Sequence, residues 1–259
     1  MTTTVDIRAQ LGLEPLNELT KYLNILIYGE PNAGKTYLAA TAQDHKDTSP
    51  VIHLGFEQGL LTVAYRKNYD ACEIRTIEEL EQVYTLLAQD QQSAKPHYKT
   101  LIIDNGTELQ NLDIDTIMRE TKKNARNPDN VDIDVPSPRE WGKIGKRLRR
   151  VTRGLRDLEM HTIWTAWKGE WQDEATNITH YYPKLSGHMK HEFSGYFDIV
   201  GYLRSDTNSQ DGSIKTLLQV QETNRVKAKW RNRPQEVPAL IENPTIPMIW
   251  EYVQKSKVA

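Results

Sequence analysis

Cysteine is almost absent: Cys72 is the only one in 259 residues. That excludes a disulfide framework and a cysteine-built zinc site, and it fits a reducing compartment. Long apolar runs are missing too. No stretch approaches the ~20 residues that cross a bilayer, so no membrane partner is expected. Met1 to Asp6 carries neither the basic region nor the apolar core of a signal peptide, and a cytoplasmic location is expected. An excess of one charge is also lacking. Thirty-three Lys and Arg stand against 35 Asp and Glu, a net charge of −2. No global field advertises nucleic acid, so any such site must be a local patch. What remains is a chain long enough for one large α/β domain, or a domain with an appendage, around a sizeable core.

The first positive signal is Gly29-Glu30-Pro31-Asn32-Ala33-Gly34-Lys35-Thr36, which matches the phosphate-loop pattern G-x-x-x-x-G-K-[ST]. An apolar strand, 24–28, precedes it, and a helix start at Thr36-Tyr37-Leu38 follows. The glycines let successive N–H groups turn inward on an anion, and the helix start adds a favourable dipole. Residues Gly29 to Tyr37 are expected to hold ATP. Lys35 reaches the β- and γ-phosphates, and the Thr36 hydroxyl meets Mg²⁺.

The stretches 24–28, 51–56, 72–75, 99–104, 161–166, 197–203 and 214–221 read as strands, among them continuous apolar runs such as Leu101-Ile102-Ile103. Helical periods fill 76–89, 106–120 and 140–159. The alternation predicts a mainly parallel sheet flanked by helices. The turn-rich linker 206–212 is too short for a crossover helix, so 197–203 and 214–221 form an antiparallel hairpin. The segments 124–138, 168–190 and the stretch after Pro234 read as loops. Leu11, Leu13, Leu16 and Leu19 mark one small apolar face in the lead-in. The expected organisation is a lead-in at 1–20, an ATPase core at 21–235 and a tail at 236–259.

Thr100-Leu101-Ile102-Ile103-Asp104 is an apolar strand ending in an acid, the Walker B pattern, and Asp104 is expected to hold Mg²⁺ with Thr36. The next residue, Asn105, cannot take a proton from water. Glu57 ends the strand after the phosphate-loop helix. Carboxyl ends of neighbouring parallel strands converge on the ligand crevice, so Glu57 either orients the attacking water or is a surface carboxylate at a loop start.

With these motifs in place, the chain resembles the RecA-like P-loop ATPases, in particular phage-encoded RecA-fold proteins that include single-strand annealing recombinases. The resemblance spans about Tyr22 to Arg233. It implies a RecA-like P-loop NTPase fold, with Glu57 as the catalytic base. It also implies a K-x-R finger: Lys229 and Arg231, in Lys229-Trp230-Arg231, would reach the ATP site of a neighbouring subunit in a ring or filament. In an extended segment these two side chains point the same way. One position departs from the family. Trp167 stands where a polar sensor is usual, leaving Thr165 or Lys168 as substitutes, or a weak coupling.

The region 140–159 carries a local basic patch. Ile144, Leu148, Val151, Leu155 and Leu158 form one helical stripe. Lys143, Lys146, Arg147, Arg149, Arg150, Arg153 and Arg156 occupy the other side, as a phosphate-binding surface or a solvated face paired with acids. The resemblance implies that 124–138 and 168–190 are loops that meet a single strand. The second holds Lys184, Lys190, Trp171, Tyr181 and Tyr182, which suit base stacking beside phosphate contacts. His180, His188 and His191 lack a metal-binding pattern. The expected function is ATP hydrolysis in a homo-oligomer that binds single-stranded DNA and promotes annealing or recombination. A single-strand binding protein is a candidate partner, and the host cytoplasm the location. The rivals are an ATP-dependent loader or helicase-type module with weak hydrolysis, and a P-loop small-molecule kinase.

Overall fold

The computed structural model describes residues 11–13, 22–57, 59–207 and 212–258. Leu16 and Leu19 of the expected apolar lead-in lie outside them, while Leu11 and Leu13 are exposed. Among the described residues, ten strands form one sheet system: β1 (Asn24–Gly29), β2 (Val51–Gly55), β3 (Asp70–Glu73), β4 (Thr100–Asp104), β5 (His161–Asp173), β6 (Ile178–Pro183), β7 (Ile199–Thr207), β8 (Ile214–Gln219), β9 (Lys229–Trp230) and β10 (Leu240–Glu242). The helices are α1 (Lys35–Ala40), α2 (Ile77–Gln91), α3 (Gly106–Lys123), α4 (Pro138–Arg156), α5 (Met189–Glu192) and α6 (Ile246–Val258).

The strand order is β10-β8-β7-β1-β5-β4-β2-β3. The six strands from β7 to β3 run parallel; β8 and β10 close one edge antiparallel. This is the expected mixed α/β architecture, with its antiparallel hairpin β7–β8. The central strands are covered on both sides, which is why they read as unbroken apolar runs. In β1 the alternation sorts the two faces. Leu26 and Tyr28 join a core with residues of α2, α3 and α4. Ile25 and Ile27 join another with residues of α1 and α6. Local signals start the helices. Thr76 and Glu79 form a capping box on α2, and the Asn105 side chain accepts the Glu108 N–H at the start of α3. The stripe expected in α4 is the buried one: Ile144, Leu148, Leu155 and Leu158 all face the core.

Two expected loops are ordered differently. The segment 168–190 is mostly an antiparallel ribbon, in which β5 continues to Asp173 and pairs with β6. Cross-strand packing holds it together. Trp171 faces His180 with rings stacked 5.2 Å apart, and Tyr182 covers Gly169 on the opposite strand. The stretch after Pro234 supplies β10, which pairs with β8, and α6. Its prolines mimic loop punctuation, but Pro247 falls in the first turn of α6, where a missing N–H costs little. Ile246 and Ile249 bury α6 against the α1 face. The segment 124–138 remains a connection, with a single 3-10 turn at Pro128–Asn130.

Candidate functional site

The carboxyl ends of β1, β2, β4 and β5 meet at one crevice, because these strands are parallel and adjacent. The phosphate loop leaves β1 there. Its turn needs a left-handed backbone at Gly34, whose φ is +90°. Gly29 is needed for a different reason: a Cβ there would lie 2.2 Å from the Leu203 carbonyl oxygen of β7. Asn32 is left-handed as well, with φ 64°. Glu30, Pro31 and Asn32 are exposed, and Ala33 is buried beneath them.

Lys35 is buried and bends back over the loop, donating to the carbonyls of Gly29 at 3.1 Å and Glu30 at 2.8 Å. Burial lowers the ammonium's pKa, against the attraction of Asp104, Glu57 and Glu30. The Thr36 hydroxyl donates to Asp104 Oδ2 at 2.6 Å. The Thr165 hydroxyl, from the strand between β1 and β4, donates to the other oxygen of Asp104. Burial raises the Asp104 pKa, but the adjacent His53 ring and donation from the Thr165 and Thr36 hydroxyls outweigh it and hold the carboxyl below its ordinary value. A buried ammonium, a hydroxyl and an ionised carboxylate at a glycine turn are the donor set that a triphosphate and a hard divalent cation take. The residues present therefore fit Mg·ATP.

Glu57 stands at the rim of the same crevice. The Phe56 N–H donates to the Asp104 carbonyl at 2.7 Å, which fixes the exit of β2 beside β4. Asn105 Nδ2 then donates to Glu57 Oε1 at 2.8 Å. Burial and the nearby charge of Asp104 push the Glu57 carboxyl up; Asn105 and Lys35 pull it down, with a net rise. Asn105, noted in the sequence only for the proton it cannot accept, thus orients the adjacent carboxylate. Tyr37 is half exposed, 6.0 Å from the Arg66 guanidinium.

Beyond the crevice, the β5–β6 ribbon is tied directly to the phosphate loop. Lys168 pairs with Glu30 and with Glu170, and its ammonium lies 4.6 Å from the Tyr181 ring centroid. Tyr28, one residue before the loop, donates to the Tyr181 carbonyl at 3.1 Å. At the expected sensor position, the Trp167 N–H donates to the Thr107 hydroxyl at 3.0 Å, its carbonyl accepts the Lys184 N–H at 2.8 Å, and the Lys184 ammonium lies 5.4 Å from its ring centroid. The ribbon and the segment 222–227 line an open cleft of about 440 Å³ that includes Trp171, His180, Tyr182, Lys190, Arg225 and Glu222, the last paired with Lys227. Lys190 lies 4.4 Å from the Tyr182 centroid.

On α4, Lys143, Lys146, Arg150 and Arg153 are exposed. Arg147 differs from them: it is largely buried and pairs with Asp113 and Glu120 of α3. Arg149 makes a two-pronged pair with Glu192 at 2.7 and 2.8 Å. Lys229 and Arg231 are not brought to this chain's own phosphate loop. Lys229 pairs with Val200, which lies beside Leu26, three residues before Gly29. Arg231 contacts Asp198, whose N–H bonds to Asn24, the first residue of β1. At ~3.3 Å per residue, they sit about 10 and 17 Å back along the strands from Gly29.

A family model described as an AAA domain matches residues 21–232, and the chain belongs to that family. No curated protein matches the chain. Among solved structures, it is similar to a KaiC-like protein from the hyperthermophilic archaeon Pyrococcus horikoshii, with 14% identity, 90% of this chain and 97% of that one covered, and a TM-score of 0.40. It is similar to the flagellar accessory protein FlaH from Methanocaldococcus jannaschii, with 13% identity, 86% and 87% covered, and a TM-score of 0.43. It is also similar to the RadB recombinase, with 11% identity, 85% and 86% covered, and a TM-score of 0.44. With its phosphate loop and mainly parallel sheet, the chain is a P-loop domain of that AAA family.

Proposed function

We propose that this AAA-domain chain hydrolyses ATP with Mg²⁺ in a homo-oligomer, binds single-stranded DNA, and promotes annealing or recombination in the manner of phage-type RecA-fold proteins. The observation that carries the hydrolytic part is the crevice itself: Thr36 on Asp104, and Glu57 steered by Asn105 beside them. Mg·ATP supplies the transferable phosphoryl group and neutralises its charge when bound. Lys35 leaves the loop carbonyls for the phosphates. Asp104 and Thr36 hold the cation. Glu57, with a raised pKa, orients water and accepts its proton. Lys229 and Arg231, remote from their own loop, act on a neighbour's nucleotide.

The DNA part rests on the aromatic and basic residues of the ribbon cleft, on the exposed cations of α4, and on the Lys168–Glu30 pair that ties the ribbon to the phosphate loop. Bases stack on Trp171 and Tyr182 while Lys190 and Arg225 meet phosphates, a combination that tolerates any sequence. Trp167, standing where an amide or imidazole sensor is usual, favours a second reading: an ATP-dependent loader with slow hydrolysis.

ATP turnover and strand annealing together test the proposal. The wild type is expected to hydrolyse ATP and to accelerate annealing of labelled complementary strands, and Lys35→Ala to abolish turnover. Full turnover in Lys35→Ala removes the site assignment. Turnover without any annealing or strand binding removes the DNA assignment. Tight ATP binding with negligible turnover selects the loader.

A further inference from the structure

Behind the phosphate loop, one buried imidazole lies against Asp104. His53 lies in the middle of β2 and is completely buried. Its Nδ1 is 2.7 Å from the Tyr69 hydroxyl. Its Nε2 is 3.4 Å from Asp104 Oδ2, the oxygen that also accepts the Thr36 hydroxyl. That separation is longer than the 2.7–3.2 Å of a full N–H···O bond, and Nε2 has no hydrogen-bond partner among the described residues. A buried polar atom aimed only at a carboxylate calls for an explanation.

We infer that His53 is a positioning residue for Asp104: it presents an Nε2–H to the carboxylate and fixes the orientation in which Asp104 and Thr36 meet the divalent cation. The inference rests on the reading of Thr36 and Asp104 as holders of that cation. The direction of the proton follows from the neighbours. Were Nε2 unprotonated, its lone pair would face an anionic oxygen in a dry interior, where unpaired polar groups are most costly. Tyr69 supplies the complementary donor. Its burial pushes the phenol well above its ordinary value, so the hydroxyl keeps its proton to give to Nδ1. The chain Tyr69 O–H to Nδ1, and Nε2–H to Asp104, is of the kind that orients metal ligands from the outer shell. Losing such a partner weakens metal affinity by about 10–100-fold.

Binding of Mn²⁺ tests this without turnover, by electron paramagnetic resonance of the full chain with a non-hydrolysable ATP analogue. His53→Phe keeps the ring volume and deletes the donor; it is expected to weaken Mn²⁺ binding about 10–100-fold. His53→Gln, which restores an N–H donor, should recover part of the loss. Tyr69→Phe should weaken binding less, and the double variant with His53→Phe no more than His53→Phe alone. Nitrogen-15 spectra of the wild-type imidazole should show the proton on Nε2, a readout that needs no variant to fold. An imidazole with Nε2 unprotonated overturns the inference. So does wild-type Mn²⁺ affinity in both His53→Phe and Tyr69→Phe while Asp104→Asn loses it. If Asp104→Asn itself binds Mn²⁺ normally, the cation-site reading fails and takes the inference with it.

Discussion

Two carboxylates at the mouth of the phosphate loop sit in opposed surroundings. Asp104 has hydroxyl donors on both oxygens and stays below its ordinary pKa, whereas Glu57 is raised by burial and by the charge of Asp104. Environments that push two acids apart in this way separate a permanent anion from a base. As the proposed base, Glu57 works only when ionised. With its pKa raised above the ordinary 4.5, the charged form is lost at a higher pH than for a free glutamate, so the acid limb of the ATPase profile should lie above that value. Asn105 donates to the charged form and lowers the pKa, so Asn105→Ala should move the acid limb to still higher pH. Glu57→Gln should reduce kcat about 10²–10⁴-fold. An unshifted limb in Asn105→Ala would separate Asn105 from the base. Lys35, Thr36 and Asp104 were legible in the sequence because their spacing is a motif. His53 was not, because its nearness to Asp104 depends on β2 lying beside β4, and a lone histidine in an apolar run carries no sign of it.

At the scale of elements, the cations of α4 fall into two kinds. Arg147 lies between α4 and α3, where Asp113 is almost fully buried. Arg147→Ala leaves that carboxylate without its partner and should cost about 3–5 kcal/mol, read as a lowered denaturation midpoint. Lys143 and Lys146 are exposed. Lys143→Ala and Lys146→Ala should leave stability unchanged and each reduce the salt slope of single-strand binding by about one. An equal effect of all three on DNA affinity, with no change in stability, would contradict the division. The central strands were legible from their apolar runs, and α4 from its stripe; β3, an exposed edge strand, carries no such run. The β5–β6 ribbon was not, although Trp167, Gly169 and Trp171 alternate with Lys168, Glu170 and Gln172. That polar half-pattern looks like a surface loop until β6 pairs with it. The segment holding α6 was hidden by Pro234, Pro238, Pro244 and Pro247, only the last of which lies inside a helix.

At the scale of the molecule, the phosphate loop and the proposed finger lie apart on the chain. Lys229 and Arg231 lie toward the amino ends of the parallel strands, away from their own crevice. If they serve a neighbour, then mixing Arg231→Ala with Glu57→Ala subunits should restore part of the activity lost by each, since some interfaces then pair an intact crevice with an intact finger. Absence of rescue in subunits shown to exchange would assign the pair to a solvated turn. The ribbon is joined to the phosphate loop through Lys168 and Glu30, so under the proposed function an occupied strand site would bear on the crevice. The most direct measurement is therefore the steady-state ATPase rate of the wild type across a titration of single-stranded DNA. A rate that rises with DNA and saturates is predicted. A rate indifferent to DNA at concentrations that saturate binding, or no turnover at all, would contradict it.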